Sequence, residues 1–224
     1  MSVIGICGFI GSGKDTVAQY LCDSRDYTRL SMASALKDAT AVLFGWDRDM
    51  LEGKTAENRK LREEPDQFWA ERLGIPNFSP RYALQFLGTD LFRNNLHQDT
   101  WVIATERRIA QHKKVVISDI RFPNEIDMIR RHGGEVWRVR RGPEPDWALC
   151  ASINAHAIEN DANPNNMPAQ WILQDRGELM EQKYPEVHYS EWAWINTKFD
   201  LTLYNDSTLA SLYSTVEAYM QIKP

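Results

Sequence analysis

The segment GFIGSGKDT, Gly8–Thr16, constrains this chain more than any other stretch. It follows the continuous apolar run VIGIC, Val3–Cys7, the pattern of a strand buried on both faces. It precedes a segment of helical composition that starts near Lys14 and extends to Asp23. The spacing fits G-x-x-x-x-G-K in the strand–turn–helix context that this motif requires. Glycines let the backbone turn its N–H groups onto a phosphate. The following helix directs its positive end at the same anion, and Lys14 adds a point charge near the β- and γ-phosphates. Gly8, Gly11, Ser12, Gly13, Lys14, Asp15 and Thr16 are therefore the expected donor-nucleotide residues. One position departs from the motif. Asp15 stands where Ser or Thr normally meets Mg²⁺, and Thr16 follows one place later. Thr16 is the expected metal contact, and Asp15 is expected to hold a metal-bound water or to orient the acceptor.

Alternating strand and helix patterns continue along the chain. Tyr27–Met32 reads as a short strand, and Ser34–Phe44 as a helix with Leu36, Thr40, Leu43 and Phe44 on one face and Gly45 as its stop. The charged stretch Asp47–Asn77 is expected to hold one short helix, Asp66–Leu73, ended by Gly74. Ser79-Pro80 is a helix start, interrupted at Gly88 and resumed over Thr89–Asn94. Further helices are expected at Asp99–His112 and Asn124–His132, and strands at Val115–Ser118, Glu135–Val139 and Asp200–Tyr204. A last helix sets Leu209, Leu212, Val216 and Tyr219 on one face. This order implies an α/β chain with the three-layer P-loop NTPase fold, about five parallel strands and helices on both faces. Residues 1–224 read as one domain. Residues 142–198, with scattered prolines (Pro143, Pro145, Pro164, Pro168, Pro185) and the tryptophans Trp147, Trp171, Trp192 and Trp194, read as a lid inserted within it.

In such sheets ligands sit beyond the carboxyl ends of the strands. Asp119, just past VVIS, occupies the place of a Walker B carboxylate that holds Mg²⁺ through water. Arg121 lies two residues on, and a guanidinium suits phosphate oxygens; an ordinary loop ion pair is the plainer alternative. Arg138, Arg140 and Arg141 end the next strand, where a lid arginine would stabilise charge on a transferring phosphoryl group. Lys37 and Asp38 open a helix near the sheet edge and are acceptor candidates, against the alternative of a solvated face. Gly88 among apolar residues implies close approach by a ligand or another helix. Thr89, Arg93 and Gln85 lie around it, and Gln85 is placed to read a base edge. His188 and Glu191 in HYSE are polar within an aromatic stretch, and His188 reads equally as a structural histidine.

The composition removes several other classes. Net charge is −5, which gives no surface for tracking a nucleic acid polymer. Cys7, Cys22 and Cys150 lack zinc or disulfide spacing and read as reduced thiols in a cytoplasmic protein. No apolar run reaches the roughly 18 residues of a spanning helix, so no membrane partner is expected. No GxSxG or HExxH motif competes with the phosphate cradle.

Several of these pieces occur together and in order: SGKDT (Ser12–Thr16), LKDA (Leu36–Ala39), LGTDL with the following Asn94-Asn95, Asp119 with Arg121, Arg141 after its strand, and H-x-S-E over His188–Glu191. In this the chain resembles the bacteriophage deoxynucleoside monophosphate kinases of the T-even type. The resemblance implies ATP with Mg²⁺ as donor, a deoxynucleoside 5′-monophosphate as acceptor, and work in the host cytoplasm supplying dNTPs for phage replication. It implies that Lys14, Asp15, Arg121 and Arg141 are catalytic, with Arg121 and Arg141 clamping phosphate. It places Lys37, the Gly88-Thr89 segment, His188 and Glu191 on the acceptor side, and leaves a homodimer open. Two alternatives stand beside it: another P-loop small-molecule kinase, such as one for dephospho-coenzyme A, and a non-catalytic ATP-binding switch.

Overall fold

The structure is a computed structural model that describes residues 1–161 and 179–222. Pro164, Pro168 and Trp171 lie outside the described residues. The backbone divides into two compact units, one formed by residues 1–29 and 112–224, the other by residues 30–111.

In the first unit the strands are β1 (Ser2–Cys7), β2 (Thr28–Leu30), β3 (Lys114–Ile117), β4 (Glu135–Arg140) and β5 (Leu201–Tyr204). They form one sheet in the order β2-β3-β1-β4-β5. β1 runs parallel to both β3 and β4, and β4 parallel to β5, with Gly5 opposite Ile117, Cys7 opposite Arg138 and Arg140 opposite Tyr204. β1 lies at the centre, so the chain leaves it where the strand order changes direction. Parallel pairing brings the carboxyl ends of β1, β3, β4 and β5 to the same edge, the expected place for a ligand.

The two faces of β1 follow the strand period of two. Ile4 and Ile6 pack with Val17, Ala18 and Leu21 of α1 (Lys14–Arg25), and the same core holds Leu212 and Val216 of the last helix (Leu209–Ile222). Gly5 points the other way. A Cβ there would lie 3.1 Å from Ile129 Cγ1 and 3.2 Å from Ile120 Cγ1, so the helix over Pro123–Arg131 sits close only because the residue has no side chain. Of the expected inward stripe on the last helix, Leu212 and Val216 are buried, Tyr219 is edge-on to Trp137, and Leu209 is exposed.

Within residues 142–198, a helix over Ala148–Asp161 is followed by a short helix over Leu179–Lys183 and a 3₁₀ turn over Tyr189–Glu191. Ala148, Ala151, Met180, Trp192 and Ile195 form a small core of their own. Phe9 of the glycine-rich loop packs against that core, 5.1 Å from Trp147 edge-on and 5.0 Å from Trp194.

The second unit is helical. α2 (Ser34–Phe44) ends at Gly45 as expected. Its apolar face is narrower than the sequence implies. Phe44 stacks on Trp46 at 4.6 Å and meets Trp69 and Phe78, whereas Leu43, one residue or about 100° away, is exposed. The charged stretch after it holds α3 (Arg48–Glu52), α4 (Ala56–Glu63) and α5 (Gln67–Leu73), two helices more than expected. Each starts on a side-chain cap, from Asp47, Thr55 and Asp66 respectively. α6 (Pro80–Gln85) is capped by Ser79 Oγ, which accepts from the Tyr82 amide at 3.1 Å. Gly88 does not break the helix. The chain runs on as a π-helix over Phe86–Arg93, then reaches α7 (Thr100–Ile109). A π-turn absorbs an extra residue without ending the helix.

Candidate active site

The glycine-rich loop wraps around the start of α1. The Lys14 ammonium donates to the carbonyls of Gly8 at 2.7 Å and Phe9 at 2.8 Å, folded over the loop. The Phe9 carbonyl also accepts from the Ser12 amide at 3.2 Å. Burial lowers the Lys14 pKa from the ordinary lysine value; Asp15 and Glu191 oppose this and Arg121 reinforces it. The Ser12 carbonyl accepts from Asn205 Nδ2 at 2.9 Å. Gly13 adopts φ +104°, and a Cβ there would stand 2.5 Å from the same Asn205 nitrogen. The Ser12 hydroxyl is buried and has no hydrogen-bond partner among the described residues. A cleft of about 380 Å³ opens over this loop, lined by Gly11, Gly13, Lys14, Asp15, Thr16, Arg141 and Asn205.

Asp15 does not stand alone. Its carboxylate accepts from the Ser118 hydroxyl at 2.8 Å and pairs with Arg29, whose guanidinium also donates to Ser118 at 2.8 Å. Ser118 lies at the end of β3, immediately before Asp119. Thr16 lines the cleft, and its hydroxyl has no protein partner among the described residues. Among those residues no group of three or more His, Cys, Asp or Glu side chains is arranged to hold a metal. A Thr hydroxyl and a carboxylate beside a phosphate cradle fit Mg²⁺ that arrives on a nucleotide and keeps much of its water.

The arginines separate by partner. Arg138 lies against Phe9, Trp194 and Phe199 and pairs with Glu144, and Arg140 also reaches Glu144, at 3.1 Å. Arg141 has no ion-pair or hydrogen-bond partner among the described residues, and it lines the cleft. Of the three sequence candidates it alone is at once at the site and uncommitted. Arg121 is held by Glu191 at 2.7 Å and by Ser190 Oγ at 3.3 Å. His188 faces that same serine: its Nδ1 lies 2.9 Å from Ser190 Oγ and accepts the Ser190 amide at 3.2 Å. The structure thus joins Arg121 to both HYSE candidates, with His188 serving as the cap of the 3₁₀ turn.

The remaining candidates belong to the second unit. Lys37 pairs with Glu52 at 3.0 Å, Glu52 with Arg48 at 2.6 Å, and Asp38 with Arg48 and Arg108 at 2.7 Å each. Asp38 therefore has both carboxylate oxygens engaged within a network of charges. Gly88 is approached by a helix: a Cβ there would lie 2.9 Å from Leu36 Cδ2. Its carbonyl accepts from Trp101 Nε1 at 2.9 Å. Gln85 and Thr89 are exposed, and Arg93 is half-buried at the end of the π-helix.

The sequence model of the deoxynucleotide monophosphate kinases matches residues 66–167. A protein of Acanthamoeba polyphaga mimivirus assigned as a deoxynucleotide monophosphate kinase is 34% identical over 155 residues, spanning 63% of this chain and 75% of that protein. The chain belongs to the deoxynucleotide monophosphate kinase family. Within the family, the deoxynucleoside-5′-monophosphate kinase of Escherichia phage T5 is 29% identical to this member over 183 residues, 58% of this chain and 72% of the relative. Among solved structures, the shikimate kinase of Aquifex aeolicus aligns over 98% of this kinase-family chain and 96% of its own at 13% identity, with a TM-score of 0.45.

Three residues that touch the loop or Asp15 in this family member, Asn205, Arg29 and Ser118, are not marked by any motif. Asn205 reads in sequence as one residue of an Asn-Asp-Ser turn. Its signal was position, directly after a strand that ends at the ligand edge. Arg29 and Ser118 carry no motif, and only the fold brings them to Asp15.

Proposed function

We propose that the chain transfers the γ-phosphoryl group of ATP to a deoxynucleoside 5′-monophosphate. Family membership supports the reaction class. The observation that carries the reading is the uncommitted Arg141 guanidinium lining the cleft over the Lys14 loop. A free arginine beside a phosphate cradle suits a reaction in which charge on a moving phosphoryl group must be neutralised. An acceptor phosphate oxygen attacks the γ-phosphorus in line; the new P–O bond forms as the bond to the β–γ bridging oxygen breaks, and ADP leaves with that electron pair. The acceptor is already anionic at neutral pH, so no strong general base is required. Mg²⁺, when bound with the nucleotide, neutralises phosphate charge, and Thr16 and Asp119 are the residues that would hold it. Lys14 leaves its loop carbonyls for the donor phosphates, while Arg121 and Arg141 hold phosphate oxygens. The product, a deoxynucleoside diphosphate, is one phosphorylation from a DNA polymerase substrate, so supply of dNTPs is the role this reading gives.

The test is ADP release from ATP·Mg²⁺ with dGMP, dTMP, dCMP, dAMP and GMP, beside dephospho-coenzyme A and a no-acceptor control. Turnover with deoxynucleotides is expected. Turnover with dephospho-coenzyme A alone, or hydrolysis indifferent to acceptor, would reject the reading. In a folded Lys14→Ala protein kcat should fall by at least about 100-fold, the scale for losing one preorganised charge.

A further inference from the structure

We propose that Asn205 is a positioning residue for the donor nucleotide: its side-chain amide fixes the orientation of the glycine-rich loop. The inference rests on the donor reading of that loop. A phosphate cradle needs its N–H groups turned into the cleft, which turns carbonyls outward, and a buried outward carbonyl needs a donor. Asn205 is 8% exposed, and its Nδ2 gives that hydrogen bond to the Ser12 carbonyl at 2.9 Å. Its own backbone is fixed as well, because its amide donates to the Arg140 carbonyl at 2.7 Å. The loop is thereby tied to the ends of β4 and β5, with Ser12 and Asn205 193 positions apart in sequence.

The fit leaves little freedom. Gly13 at φ +104° gives the side-chain amide its place, since a Cβ at that position would stand 2.5 Å from Nδ2. Asn205 also lines the cleft beside Lys14 and Thr16, so a change at Asn205 acts on the donor side directly. The chemistry needed is a neutral N–H donor. A carboxylate of the same shape would set an oxygen against the Ser12 carbonyl and place a negative charge beside the donor phosphates. A carboxylic acid, being protonated, could donate again.

The test uses the full chain and calorimetric titration with ATP·Mg²⁺ alone, together with steady-state KM for ATP and for the acceptor. Asn205→Ala should bind ATP at least about 10-fold more weakly, the scale of leaving one buried carbonyl unpaired. Acceptor KM should stay within about 2-fold, a change of less than RT ln 10 by a wide margin. Asn205→Asp, ionised at neutral pH, should bind ATP more weakly still. Circular dichroism and a melting curve establish that each variant is folded. Unchanged ATP affinity in both folded variants would overturn the inference and leave the kinase reading standing. A parent protein that binds no ATP would overturn both this inference and the donor reading.

Discussion

Asp15 accepts a hydrogen bond from the Ser118 hydroxyl at 2.8 Å, so the residue replacing the motif's usual hydroxyl is anchored to the strand end that carries Asp119. Arg29 closes the triangle from the other side. The carboxylate is thus oriented and partly neutralised before any nucleotide enters. Asp15→Asn keeps an acceptor for Ser118 but loses the charge. If Asp15 orients metal-bound water, the free Mg²⁺ needed for half-maximal turnover should rise about 10-fold, as for other residues that act on a metal through its ligands. An Mg²⁺ titration at fixed ATP reads this directly, and an unshifted curve would remove Asp15 from the metal's surroundings.

Arg141 and Arg121 should respond differently to truncation. Arg141 has no partner among the described residues, so Arg141→Ala should leave the melting temperature unchanged while turnover falls by about 100-fold. Arg121 is in a partly exposed pair, so Arg121→Ala also removes an ion pair worth up to about 1 kcal/mol and the bond to Ser190. It should lose activity and lower the melting temperature together. A melting temperature that drops for Arg141→Ala and not for Arg121→Ala would invert this assignment.

Two glycines offer a packing test without touching the cleft. At Gly88 an added methyl meets only the end of the Leu36 side chain, which can rotate, and the helix gains about 0.5–1 kcal/mol from replacing glycine. Gly88→Ala should therefore be close to neutral. At Gly134 the methyl would lie 2.6 Å from the Val3 carbonyl oxygen and 2.9 Å from that of Ile129, which are backbone atoms. Gly134→Ala should destabilise by about 1–3 kcal/mol, the range for overpacking. Chemical denaturation of both variants decides the ordering.

The charge network of the second unit carries a pH prediction. Burial tends to raise the Asp38 and Glu52 carboxyls, but hydrogen bonds from Arg48 to both, from Arg108 to Asp38 and from Lys37 to Glu52 outweigh it, so both are held below their ordinary values. A carboxyl depressed in the folded state stabilises above its unfolded pKa, about 4, and that stabilisation is lost as pH falls through the folded value. Melting temperature should accordingly fall on acidification below about pH 4. The fall should be shallower in an Asp38→Asn, Glu52→Gln protein. Parallel acid limbs for the two proteins would contradict the assignment.

The central strand, the loop and the order of elements were legible in the sequence because each rests on local chemistry. VIGIC is apolar throughout, Gly8–Lys14 carries a motif with a mechanism, and Gly45, Gly74 and Gly133 stop helices. The helices over Arg48–Glu52 and Ala56–Glu63 were not legible. They are short: the first is five residues that bury only Leu51, the second buries none, and neither is long enough to display a helical period. Gly88 is legible as a point of close approach but not as part of a continuing helix, since a π-turn has no simple periodic signature. The resemblance already points to Arg141, but the physical reason, that Glu144 and the aromatic rings occupy Arg138 and Glu144 also holds Arg140, is visible only in the fold. Asn205 reaches Ser12 across 193 residues and Arg29 reaches Ser118 across 89, gaps that no local window of sequence spans.

The packing of Phe9 between Trp147 and Trp194 has a practical consequence. Indole emission responds to neighbouring rings and charges, and Phe9 supplies one of the two carbonyls that Lys14 gives up on the proposed donor reading. Any shift of that residue on nucleotide entry is therefore transmitted to two intrinsic fluorophores. The difference between the emission of the parent protein and that of a Trp147→Phe, Trp194→Phe protein isolates their contribution. The chain thus carries its own optical gauge of the loop, readable in a stopped-flow cuvette without a label.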